Sequence, residues 1–85
     1  MKPYVDISNE VRIFSQEVEE TELKWHRDEE DREIISILKT DWKVQLENEL
    51  PLSLNSPIKI KAGVWHRVIK GTGELTIKIK KNNEA

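Results

Sequence analysis

The sequence predicts an all-β protein, a barrel or jelly roll of seven or eight short strands. Three observations carry that prediction. Apolar residues recur with period two in almost every run, the mark of strands with one face on a core and the other in water. Turn-forming residues separate these runs at close intervals. No stretch holds a helical stripe for a dozen residues. The best helix candidate, 17–27, offers too few apolar positions at i, i+3 and i+4 to bury a face. Closing such a sheet also removes the exposed edges that invite aggregation.

The elements follow in order. Val11 and Ile13 form a short alternating run, interrupted by Phe14. Residues 34–38 (IISIL) are apolar on both faces, as expected of a central strand or one whose outer face meets a partner. Trp42, Val44 and Leu46 alternate with Lys43, Gln45 and Glu47, and Leu50, Leu52 and Leu54 with Pro51 and Ser53. Ile58 and Ile60 alternate with Lys59 and Lys61, then Leu75, Ile77 and Ile79 with Thr76, Lys78 and Lys80. Turn signals lie at 40–41, 47–49, 55–57, 62–63 and 71–73. The last of these, Gly71-Thr72-Gly73, reads as a hairpin turn. Residues 80–85 read as a frayed polar end.

At 85 residues the chain is expected to form one domain spanning 1–85. A domain of this size buries only about 60–65% of its unfolded surface. The 16 acidic and 14 basic side chains leave a net charge of −2, which argues against a generic nucleic-acid binder. Charge is unevenly placed, with a balance of −6 over residues 1–33 and +4 over 34–85. The absence of cysteine excludes disulfide frameworks, thiolate metal sites and cysteine nucleophiles. No apolar run of about 18 residues is present to span a membrane, and the opening MKPYVDISNE lacks the apolar stretch of a secretory signal. A cytoplasmic protein is expected.

The chemistry centres on two histidines. Trp25-His26-Arg27 and Trp65-His66-Arg67 repeat the same tripeptide forty positions apart. His26 and Asp28, two residues apart, share one face of an extended chain, and Glu33 follows at the start of the next apolar run. The same alternation puts Arg27 and Arg67 opposite the histidines, with Trp25 and Trp65 on the arginines' side. Two tryptophans on an outer face, together with the apolar 34–38 strand, point to a homodimer.

His26-Arg27-Asp28 followed by Glu33 resembles the first cupin motif, in which two histidines flank one residue and a glutamate follows. The stretch 60–68, with Gly63 and His66, is similar to the second. The likeness places motif 1 at about 26–40 and motif 2 at about 55–70, and covers roughly 23–79. Asp28 stands where the family has its second histidine, Thr40 and Asn55 where it has glycine, Lys61 where it has proline and Lys70 where it has asparagine. The whole pattern also resembles very short single-domain cupins of tailed phages.

The resemblance implies a small cupin barrel in which His26, Glu33 and His66 converge on a divalent metal. Asp28 then serves either as a further ligand or as an acceptor that orients a histidine ring. Imidazole and carboxylate donors suit Fe, Mn, Ni or Zn, and the implied partner is a small molecule. The alternative is a metal-free cupin that binds a small anionic ligand or a protein partner. For that reading Arg32, Arg67 and Arg27 are the ligand-binding candidates, since guanidinium groups hold carboxylates and phosphates in two-point contacts.

Overall fold

The computed structural model describes residues 2–82. Eight strands occur among them: β1 (Val5–Asp6), β2 (Val11–Phe14), β3 (Asp31–Ser36), β4 (Lys43–Leu46), β5 (Leu52–Ser53), β6 (Ile58–Ile60), β7 (His66–Ile69) and β8 (Leu75–Asn82). They build a five-stranded sheet in the order β1-β2-β8-β3-β6 and a three-stranded sheet in the order β5-β4-β7. Every pairing is antiparallel.

The period-two runs set which faces meet. Leu75, Ile77 and Ile79 of β8, Ile58 and Ile60 of β6, and Val44 and Leu46 of β4 are all buried, while the intervening lysines are exposed. The two inner faces therefore close on one core, with Trp42 and Leu54 fully enclosed. Between β2 and β3 the chain makes a single 3₁₀ turn at Glu20–Glu22. Buried Val18 and Leu23 attach this segment to the core.

Four sequence expectations need correction. Residues 80–82 belong to β8 and pair with β3, so the strand outruns the expected frayed end; residues 83–85 lie outside the described residues. Only the first part of 34–38 is strand. Ile34 is buried between β8 and β6, whereas Ile37 and Leu38 lie past the end of β3 and are exposed. In β2 the inward residue is Phe14, which leaves Val11 and Ile13 on the outer side and turns Arg12 inward. Finally, Gly71-Thr72-Gly73 is not a hairpin turn, because β7 and β8 lie in different sheets.

That last segment is a corner from one sheet to the other. A Cβ on Gly71 would lie 2.6 Å from the Trp42 nitrogen and 2.8 Å from the Asp41 carbonyl carbon, so only glycine fits. Asp41 ties down the same corner by accepting from the Thr72 amide at 2.7 Å and hydroxyl at 2.8 Å. Those two bonds hold the Asp41 carboxyl below the usual carboxylate range. Asn55 and Thr40 close the neighbouring corner reciprocally, at 2.9 and 2.8 Å.

Candidate metal centre

The two Trp-His-Arg tripeptides meet. His26 and His66 form an antiparallel bridge, with amide-to-carbonyl bonds of 2.9 and 2.8 Å running both ways. The 25–27 segment thus adds a further edge beside β7. Pairing one tripeptide against its antiparallel copy sets each tryptophan across from the other's arginine. The Arg67 guanidinium lies 4.9 Å from the Trp25 ring centre and that of Arg27 lies 5.1 Å from Trp65. These cation–π pairs sit on the solvent side. Arg67 also donates twice to Gln45 Oε1, at 3.1 and 2.9 Å. Arg27 and Arg67 therefore cover the tryptophans and do not line the cavity between the sheets.

The histidines face the other way. Their rings are 4.3 Å apart, and His66 is 5% exposed beside Leu46 on the inner face of the smaller sheet. In each case Nδ1 lies against the backbone carbonyl two residues earlier: Lys24 at 3.0 Å for His26 and Val64 at 2.9 Å for His66. A carbonyl only accepts, so Nδ1 carries the proton, and in the neutral ring Nε2 keeps its lone pair. Asp28 follows His26 on the same face, anchored by the Gly63 amide donating to its carbonyl at 2.8 Å.

His26, Asp28 and His66 each place a donor atom within 4.8 Å of the others. Asp28 Oδ2 is buried without a hydrogen-bond partner among the described residues, although His66 Nε2 is only 3.3 Å away. Proximity without a bond follows from the tautomer, since two lone pairs face each other. The second Asp28 oxygen, Oδ1, lies 3.5 Å from an Arg32 amino group. Burial pushes the His66 pKa down, helped by His26 and Arg32, while the Val64 carbonyl and Asp28 oppose the shift. His66 therefore stays neutral to lower pH than a free imidazole.

Glu33 does not join this group. It stands opposite Lys59 on β6 and Lys80 on β8, on the outer face of the larger sheet. Arg32 holds the inward place instead and lines the cavity. Its guanidinium is held by Glu30 Oε1, which accepts at 3.0 and 2.8 Å. The bend at residues 29–30 resets the alternation between His26 and β3, so residues on either side of it do not keep a common phase. The cavity behind the histidines measures about 270 Å³, and Phe14, Ile34 and Ile77 are among its apolar walls. Arg12 and Tyr4 also line it, and neither stood out from its neighbours in the sequence. The one signal was Phe14, whose bulk sets the inward phase of β2.

No protein-family model matches the chain, and no curated protein matches it. Among solved structures it is similar to KdgF from Halomonas sp., a cupin-fold protein, at 15% identity and a TM-score of 0.58. The match covers 95% of this chain and 88% of that one. The chain has the cupin fold.

Within this cupin barrel the neutral state of His66 has a consequence for stability. Its folded pKa lies below the unfolded value of about 6.5, so between the two the unfolded chain binds more protons. The contribution of a neutral His66 is fully present above about pH 6.5 and is lost as pH falls toward the folded pKa. Asp6, Glu30 and Asp41 have carboxyls held below their ordinary values, so their contributions are lost only at more acidic pH. Urea denaturation of the metal-free protein is expected to show declining stability just below pH 6.5, and His66→Gln is expected to flatten that decline. An unchanged slope in the variant would assign the decline to other groups.

Proposed function

We propose that this is a metal-dependent cupin, holding one divalent first-row ion through His26 Nε2, His66 Nε2 and Asp28, and binding a small molecule in the barrel cavity. The observation that supports the reading is the buried Asp28 Oδ2, which lacks a donor among the described residues yet lies beside the His66 lone pair. A buried acceptor without a partner is costly, and a cation shared with the two histidine nitrogens would satisfy it. Imidazole nitrogen and carboxylate oxygen suit Fe, Mn, Ni or Zn, and the chain has no thiolate to favour softer ions.

Arg32 is the positioning residue in this reading, since its contact with Oδ1 turns Oδ2 toward the histidines. The two backbone carbonyls do the same for the rings by fixing their tautomers. Three protein ligands leave coordination positions for a small molecule. A bound ion would supply Lewis-acid polarisation of an oxygen on that molecule.

The first test is thermal. A ligand that binds only the folded state stabilises it by about 2.7 kcal/mol at a hundredfold excess over its dissociation constant. Zn(II) or Ni(II) is expected to raise the melting temperature of chelator-treated protein, and added chelator to reverse the rise. No shift with any of Fe(II), Mn(II), Ni(II) and Zn(II) would remove the metal from the proposal.

A further inference from the structure

We infer that the barrel cavity takes a small organic carboxylate, gripped by the guanidinium groups of Arg12 and Arg32 with its body on the apolar wall. This names the ligand class for the metal reading above and rests on that reading for where the ligand meets the ion. The arginine contacts stand without a metal.

Arg12 points inward because Phe14 sets the phase of β2. Its guanidinium lies 4.0 Å over the Tyr4 ring, and its Nε donates to Asp6 Oδ1 at 2.8 Å. That leaves both terminal amino groups without a protein acceptor among the described residues. Arg32 spends Nε and one terminal amino group on Glu30, leaving its other amino group unassigned. The two side chains are only 16% and 13% exposed. Each guanidinium thus keeps donors to spare beside one cavity, on amino groups that reach solvent and are open to an incoming acceptor.

The charges at the cavity are already paired before any metal is added, since Asp6 and Glu30 hold Arg12 and Arg32 while Lys24 stands with Glu22 and Asp28. A divalent ion bound there would add the positive charge that favours an anion. Shape selects the class of anion. Guanidinium forks match planar carboxylates in two-point contacts. Walls such as Phe14, Ile34, Ile60 and Ile77 favour a hydrocarbon body over a bare inorganic ion. The volume of about 270 Å³ corresponds to roughly nine waters, which suits a compact acid.

The test titrates both the metal-free and the Zn(II)-loaded protein with benzoate, its neutral counterpart benzyl alcohol, and inorganic phosphate, followed by amide NMR shifts. Saturable benzoate binding is expected in both forms, with shifts centred on Phe14, Ile34 and Ile77. Benzyl alcohol and phosphate are expected to bind at least about tenfold more weakly, the loss of one charge-assisted contact. Arg12→Lys and Arg32→Lys are each expected to cost benzoate about tenfold. Equal binding of benzyl alcohol in the parent protein overturns the inference without reference to any variant. So does the absence of saturation at tens of millimolar, or shifts confined to the outer lysines of β6 and β8. If benzoate binds through the arginines while zinc does not bind, the metal reading fails alone. If zinc binds and benzoate does not, this inference fails alone.

Discussion

Replacing His66 with alanine is expected to lower metal affinity by more than about a hundredfold while leaving a folded barrel. Even residues that only orient a ligand are worth about 10–100-fold in affinity, and in the proposed site a ligand itself is removed. The backbone bridge to His26 and the pairing with Leu46 run through main-chain atoms, so both survive the substitution. Truncating a ring that is 5% exposed still leaves a gap, costing about 1–3 kcal/mol.

Asp28→Asn makes the companion case and carries an opposite sign on stability. The carboxamide nitrogen can donate to the His66 lone pair that Asp28 Oδ2 merely faces at 3.3 Å. The metal-free variant is then expected to gain about 1 kcal/mol, one satisfied hydrogen bond, while its metal affinity falls. Calorimetric zinc titration and urea denaturation of the two variants check both signs. If Asp28→Asn destabilises the metal-free protein, the tautomer assigned to His66 is wrong.

Trp42→Ala is expected to be the most damaging single change to the fold. Trp42 is fully buried at the entrance to β4, with its ring centre 5.9 Å from that of Phe14. Its Nε1 donates to the Gly73 carbonyl at 3.2 Å, joining the core to the Gly71 corner. Large aromatic truncations cost about 3–5 kcal/mol, and here the half-buried Gly73 carbonyl also loses its donor. Small domains have only about 5–15 kcal/mol in total. The variant is therefore expected to lie near or below the folding threshold at 37 °C, as read by circular dichroism melts. A loss under about 1 kcal/mol would show that Trp42 does not organise the core.

Much of this was legible from alternation alone. The phase of β4, β6 and β8 follows from Val44, Ile58 and Ile77, because each of these runs has one apolar and one charged face. His26 and Asp28 share a face for the same reason, and the outward parity of Trp25, Arg27, Trp65 and Arg67 holds in the structure. Phase was lost where a run is apolar on both sides or where a bend intervenes. In 34–38 either face qualifies as core, so nothing local told Glu33 from Arg32, and the bend at 29–30 severed them from His26. Arg12 was obscured by Val11 and Ile13, which alternate convincingly but on the outer side. The convergence of His26 and His66 is a long-range pairing across forty residues. Only the repeated tripeptide and the family resemblance pointed to it.

The most direct test of the proposed metal centre is X-ray absorption on the zinc-loaded protein at one equivalent. The proposal predicts scattering from two imidazole rings at about 2.0–2.1 Å and from carboxylate oxygen at about 2.0–2.2 Å, with one imidazole lost in His66→Ala. A spectrum without histidine scattering, or with the same shell in the parent and His66→Ala, would contradict a site built from His26, Asp28 and His66.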